Sequence, residues 1–370
     1  MSDPLILFLY DNSERAAFGR PYQRECAAAG FNVVVAVWRD VVPIAKGAMV
    51  SRGWKVDAAG EAVPLSNEPV QPHILLHRKL MGEKSARMIG EILGSCPGSV
   101  SSYHSGWRWI GEKWILESCF REAGINVSRP TTYLVDKLGM PETLRRTGYS
   151  RPLIFKPADA SLCRGIALST PANFDSVAEE VATSTWSRYV VQELVEETLL
   201  YKRRRFDLRI YVLITSFRPL RFMVPREGLV RLAAREFDPK RPADTLGVLT
   251  GSSYRKRGGF AVHNITVTDL LGYLTSNGVD VTNFWDEVDS LLKSVFTALA
   301  RAGPLAEASD LAGCFYLAGV DLLMVPHGES YSLLFLETNY VPNLVGSGPS
   351  VDVPLVERGH REWISHLRRL

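Results

Sequence analysis

The sequence predicts a chain of mixed α/β and α+β class that opens on a βαβ unit and ends in strands. Three observations carry this. Leu5–Tyr10 and the valine-rich Phe31–Trp38 are short apolar runs separated by a helical stretch, Arg20–Ala29, closed by Gly30. From Tyr189 onward strand patterns dominate, interrupted by one strongly periodic helix near Phe284–Ala302. The length, 370 residues, exceeds one ordinary core, so two or three compact units are expected.

The remaining elements follow in order. Gly47–Pro72 is polar and punctuated by Gly and Pro, which fits a long connection or a hairpin. Ile74–Leu76 reads as a strand and Lys84–Leu93 as a helix ended by Gly94. A new unit starts near Ser102, where Trp109–Glu122 has helical periodicity and Gly124 suits its C′ position. Strands follow at Thr132–Val135, Leu153–Lys156 and Ile166–Leu168, and later at Leu220–Val224 after a turn at Ser216–Pro219. Phe315–Val325 and Tyr331–Leu336 form a hairpin across Pro326–Glu329.

Composition excludes several classes. With 43 Lys+Arg against 40 Asp+Glu and 46% hydrophobic residues, the chain is neither a disordered tail nor a strongly basic nucleic-acid coat, and no nucleic-acid partner is expected. No run approaches the roughly 20 apolar residues of a membrane helix, and the start lacks the basic segment of a signal peptide. No membrane partner is expected either. The five cysteines are scattered and contain no C-x-x-C, which points to a reducing, cytoplasmic setting without a zinc site.

Three constellations carry chemistry. In Phe155-Lys156-Pro157 a strand delivers a lysine into a small-residue loop, Ala158–Gly165, which suits a phosphate or an ordinary surface turn. In Arg205-Phe-Asp207-Leu-Arg209-Ile-Tyr211 strict alternation puts the charged residues on one face and Phe206, Leu208 and Ile210 on the other. That charged face is either a binding surface or a solvated, salt-bridged one. Glu337 and Asn339 are two apart on a strand, and the hairpin brings Asp321 nearly opposite Glu337. Three oxygen ligands suit Mg²⁺; the alternative is a core carboxylate at Asp321 paired with an arginine.

In order and spacing these segments resemble the ATP-grasp enzymes, and more closely the tubulin-tyrosine-ligase-like branch. The matches are Phe155-Lys156-Pro157 with Arg164-Gly165-Ile166, Phe206-Asp-Leu-Arg-Ile-Tyr-Val212, Arg226-Glu-Gly-Leu-Val-Arg231, Gly319-Val-Asp321 and Leu336-Glu337-Thr-Asn339. Gly111-Glu-Lys113 resembles the start of the entry helix. The resemblance implies a three-part ATP-grasp fold: an N-terminal βαβ domain (1–105), a central domain (106–188) and a metal-bearing C-terminal domain (189–370). It implies ATP and Mg²⁺ as cofactors. Lys156 then holds phosphates under Ser161, Arg164 and Gly165. Gln192, Glu193 and Leu194 meet the adenine edge, and Arg205 and Asp207 lie along ribose and triphosphate. Asp321, Glu337 and Asn339 hold metal, while Arg209 and Arg226 face the acyl phosphate and the substrate carboxylate. Lys113 either touches nucleotide or is merely exposed. Two departures stand out: the family has Lys where this chain has Arg205, and of its His-Leu-Thr-Asn signature only Asn264, counted with the nucleotide contacts, is kept beside His263.

The implied reaction is ATP-dependent amide formation through an acyl phosphate, releasing ADP and phosphate. The short chain, without a long basic extension, favours small-molecule partners, an amino acid or small peptide joined by a peptide or γ-glutamyl bond. The rivals are a ligase that adds an amino acid to a protein tail and a nucleotide-binding module without turnover.

Overall fold

In the computed structural model, which describes residues 3–10, 20–77, 83–102, 107–137, 144, 150–160, 163–251, 259, 264–302, 313–340, 342 and 355–367, the chain builds three sheets. The first holds β1 (Leu5–Tyr10), β2 (Asn32–Val37), β3 (Val41–Ile44), β4 (Gly47–Val56), β5 (Ala62–Val70), β6 (Ile74–His77) and β7 (Val100–Ser101), with helices α1 (Arg20–Ala28) and α2 (Glu83–Ser95) between them. β1 runs parallel to β2 and β6, as a βαβ opening requires. The stretch after Gly47 is a hairpin, β4 against β5, that extends the sheet antiparallel to β2. Gly47 permits its start: at φ +135° a Cβ would lie 2.1 Å from the Val70 carbonyl oxygen.

The second sheet follows α3 (Lys113–Ala123), which Gly124 ends in the left-handed region at φ +61°. Its strands are β8 (Thr132–Asp136), β9 (Leu153–Pro157), β10 (Ala167–Ser169) and, after helix α4 (Phe174–Thr183), β11 (Arg188–Glu193), in the order β10-β9-β11-β8. Leu153, Phe155, Tyr189 and Val191 pack beneath α4 on Phe174, Val177 and Val181. Alternation sends Ile154, Lys156, Val190 and Gln192 to the opposite face. β11 pairs with β8 and β9, so the boundary expected at residue 188 meets the start of a strand of this sheet, and the chain leaves it only at Leu194.

The third sheet contains β12 (Leu200–Tyr201), β13 (Arg204–Phe217), β14 (Leu220–Met223), β15 (Gly228–Leu232), β16 (Asn264–Thr266), β17 (Tyr316–His327) and β18 (Ser330–Tyr340), with helices α5 (Val267–Ser276) and α6 (Phe284–Arg301) between β16 and β17. A reciprocal cap between Thr266 and Asp269 starts α5. Phe206, Leu208, Ile210 and Val212 of β13 enter the largest core with Val288, Leu292, Val295 and Phe296 of α6, and Leu116 and Phe120 of α3 join them.

The other face of β13 is split. Arg205, Asp207 and Arg209 are polar, but Tyr211 and Leu213 join Ile6, Phe8 and Tyr10 of the first sheet and Trp363 of the last helix, α7 (Arg361–Leu367). One strand face therefore supplies a polar site and, farther along, the docking surface for the first sheet.

Candidate active site

Strand pairing assembles the site. Asp321 of β17 lies opposite Glu337 of β18 on one side and Arg209 of β13 on the other. Arg231 of β15 lies opposite Asp207 of β13 and Asn264 of β16. Directly opposed residues point to the same face, so these side chains converge.

The convergence is a fork of hydrogen-bonded charges. Arg209 donates to both Asp321 oxygens, Nε to Oδ1 at 2.5 Å and Nη2 to Oδ2 at 3.0 Å. Arg231 bridges two carboxylates, donating to Asp207 at 2.6 and 2.7 Å and to Asp321 at 2.8 Å. The Thr250 hydroxyl also donates to Asp207. Asn339 Nδ2 donates to Asp321 at 3.0 Å and to Glu337 at 3.4 Å, so the three candidate ligands lie together, while Asp321 is also paired with two arginines, the arrangement of the alternative reading. Burial by itself would raise the Asp321 pKa, but the two guanidinium groups hold it down at about 2. The same carboxylates keep Arg231 protonated despite its burial. Gly319 makes room for this fork, since a Cβ there would lie 2.8 Å from Cδ of Arg209.

Beside the fork, Glu337 shares a small, narrow cleft with Lys113, Thr132, Lys156, Gln192 and Leu336, among others. Lys156 Nζ donates to Gln192 Oε1 at 2.6 Å, and Gln192 Nε2 donates to the Thr132 hydroxyl at 3.0 Å. Burial lowers the Lys156 pKa, and the nearby Glu337 carboxylate opposes that shift. Lys113, which the sequence leaves open, donates to the Ala160 carbonyl at 2.9 Å and lies 3.8 Å from Glu337. Two lysines and two arginines thus border three carboxylates, Asp207, Asp321 and Glu337, a pattern that favours a polyanion carrying a divalent cation.

Not every expected residue joins. Arg226 sits before β15, half-exposed, and turns to Asp289 of α6 with contacts of 3.1 and 2.6 Å. Arg231 stands in the fork where Arg226 was expected to act. Its signal was present in the sequence, because an arginine at the end of Gly228–Arg231 can face Asp207 once the strands pair antiparallel. Arg205 points into the hinge: it donates to the Val195 carbonyl at 2.8 Å and to that of Glu196, and stacks 4.1 Å from the Phe237 ring. Its burial pushes the pKa down to about 10. The amides of Glu193 and Leu194, expected at a base edge, donate to Thr131 O at 2.9 Å and Pro152 O at 2.7 Å. Arg164 and Gly165 are exposed on the loop after β9, and Asn264 holds the edge strand beside Arg231. Ser161 and His263 lie outside the described residues.

Among the described residues no three His, Cys, Asp or Glu side chains gather in a metal-binding group, so the candidate set is two carboxylates and an amide. No helix among them is long and apolar enough to cross a membrane.

A model of the tubulin-tyrosine ligase family matches residues 103–360, which begins just after the first sheet. The chain is 32% identical over 200 residues to a probable tubulin polyglutamylase, TTLL2, of Homo sapiens, covering 52% of this chain and 31% of that protein. It is 27% identical over 235 residues to tubulin polyglutamylase TTLL7 of Mus musculus, covering 58% and 24%, and 28% identical over 240 residues to tubulin polyglutamylase ttll-4 of Caenorhabditis briggsae, covering 60% and 38%. The chain therefore spans between 24% and 38% of the length of these curated relatives. Their names carry a protein, tubulin, as the substrate. This overturns the expectation of a small amino acid or peptide as the partner and of small-molecule ligation as the reaction.

Proposed function

The chain belongs to the tubulin-tyrosine ligase family, and on that premise we propose that it is an ATP-dependent ligase joining an amino acid by an amide bond to a side-chain carboxylate of a protein tail. The observation that carries this reading is the fork of Arg209, Arg231, Asp321 and Asn339, joined through Glu337 to the cleft that Lys113 and Lys156 line. Bringing a carboxylate against a triphosphate is opposed by charge repulsion, and the fixed cations of the fork and of the cleft reduce that repulsion without reorganising.

In this reading Lys113 of α3 and Lys156 of the second sheet hold the phosphates, and Arg209 and Arg231 of the third sheet steady the transferring group. Arg231 takes the role expected of Arg226. Asp207 orients Arg231 through its two hydrogen bonds. Asp321, Glu337 and Asn339 form a hard oxygen set that fits Mg²⁺, and they would hold it. Bound there, the cation would supply charge neutralisation for the phosphate oxygens. The three sheets support a first unit to about residue 105, a nucleotide-facing unit to Glu193 and a metal-bearing unit from Leu194.

The test supplies ATP, Mg²⁺, glutamate and either tubulin or an acidic peptide, then follows ADP release and acceptor mass. Addition of aminoacyl units in step with ADP supports the reading. ATP binding without ADP release or any mass change would favour a nucleotide-binding module instead.

A further inference from the structure

Strand β18 gives two residues to the site and turns the one between them away. Glu337 and Asn339 lie with Asp321, so Thr338 points to the opposite face of the sheet. There it stands opposite Val320 of β17, a member of the largest core, and is 2% exposed. A hydroxyl in such surroundings is unfavourable unless it is hydrogen-bonded. The Thr338 hydroxyl donates to the carbonyl of Ile110, which is fully buried in the same core and closes the short helical turn Trp107–Ile110. Gly111 and Glu112 alone separate that carbonyl from Lys113, the first residue of α3. The start of α3 has no side-chain cap, since Glu112 makes no capping bond there. The turn before it is closed by its backbone, Glu112 N donating to the Trp109 carbonyl at 3.2 Å, and the Thr338 bond ties it directly to β18. One strand thus carries the Glu337 carboxylate and also the anchor that sets where Lys113 stands, 3.8 Å from it.

We propose that Thr338 is a positioning residue for Lys113: its hydroxyl holds the Ile110 carbonyl, and with it the start of α3, so that the Lys113 ammonium stays beside Glu337 and the Ala160 carbonyl where nucleotide phosphates bind. This rests on the nucleotide cleft of the ligase reading. A lysine is a point charge on a flexible stem, so the position of its backbone is what confines the charge. Thr338 itself faces the core and acts on nucleotide only through Lys113. Removing the hydroxyl takes a donor from a buried carbonyl and frees the turn to move away from β18. One hydrogen bond of this kind corresponds to about a fivefold change in an equilibrium.

The experiment measures binding of a β,γ-imido analogue of ATP, with Mg²⁺, by calorimetry on the full chain. The proteins are the wild type, Thr338→Val, Thr338→Ser, Lys113→Met, and Thr338→Val combined with Lys113→Met. Thr338→Val is expected to weaken binding about fivefold, while Thr338→Ser, which keeps the hydroxyl, stays within about twofold of wild type. In the Lys113→Met background Thr338→Val should change nothing further, because its effect passes through the ammonium. Thr338→Ala removes the hydroxyl without setting a methyl group against the carbonyl, and it takes the place of Thr338→Val in both backgrounds should that variant not fold. Equal weakening in both backgrounds, or as much weakening by Thr338→Ser as by Thr338→Val, would make Thr338 a core residue only and overturn the proposal. Wild-type affinity in the variant lacking the hydroxyl, or in Lys113→Met, would also overturn it while leaving the ligase reading in place. An analogue that the wild type does not bind would sink the ligase reading, and the positioning role with it.

Discussion

Replacing Asp321 by Asn tests whether the fork is held by charge. The asparagine keeps the shape of the side chain but removes its charge and turns one acceptor into a donor. Asp321 is 2% exposed and accepts three guanidinium hydrogen bonds, at 2.5, 3.0 and 2.8 Å. Each charge-assisted bond contributes about 1.5–3 kcal/mol net, but bonds within one network do not add. The larger effect is that Arg209 and Arg231, both largely buried, lose the anion between them. Removing one partner from a buried ion pair costs about 3–5 kcal/mol, so a destabilisation near 4 kcal/mol is expected. The assay is urea unfolding followed by circular dichroism, comparing midpoints at a common slope. A change below about 1 kcal/mol, the size of an exposed ion pair, would refute the argument that the fork is desolvated.

The remaining expectations concern the same groups and one distant carboxylate. Arg231→Ala should lower ligase turnover by about 100-fold or more, whereas Arg226→Ala, which breaks only a half-exposed pair with Asp289, should keep near wild-type turnover and cost at most about 1 kcal/mol. The Asp321 carboxyl is held at about 2 in the folded chain against an ordinary 3.8, so its contribution is complete above about pH 4 and disappears as pH falls toward about 2. That contribution is about 2–3 kcal/mol, and the stability gap between wild type and Asp321→Asn should shrink between about pH 5 and about pH 3 in urea titrations. Glu227 is fully buried and accepts from Gly228 N at 2.9 Å, the Thr268 hydroxyl at 2.8 Å and Arg358 at 2.8 Å. Glu227→Ala should destabilise the chain by about 3 kcal/mol and speed proteolysis near Arg358, which a digest followed by mass spectrometry would detect.

Much of the site was legible because strand geometry is local. A period of two puts Asp207 with Arg209, and Glu337 with Asn339, on shared faces wherever those strands come to lie. The short hairpin between β17 and β18 sets the register only as far as Leu322 opposite Phe335, and a one-residue shift beyond it, which the sequence does not signal, brings Asp321 opposite Glu337 instead of Leu336. The βαβ opening and the helix ending at Gly124 follow from similarly local signals. The acceptor was not legible, since the same cationic cleft serves a small carboxylate or a protein tail; likeness to tubulin polyglutamylases corrected that choice.

Only the tertiary structure decided between the arginines. Arg226 and Arg231 lie close together in sequence, yet the register of β15 on β13 puts Arg231 against Asp207, while Arg226 precedes the strand and turns to α6. Lys113 reaches the site because α3 packs between the second and third sheets, and Arg205 is drawn to the hinge carbonyls instead of the fork. Tyr211 shares a face with Arg209 but is buried where the first sheet docks. The sequence by itself determined which residues share a face and where polar and apolar sides divide, because backbone period and side-chain solvation act over a few residues. Which faces meet, and which charges are thereby taken out of water and paired, depends on contacts between residues far apart in the chain, and packing alone sets those.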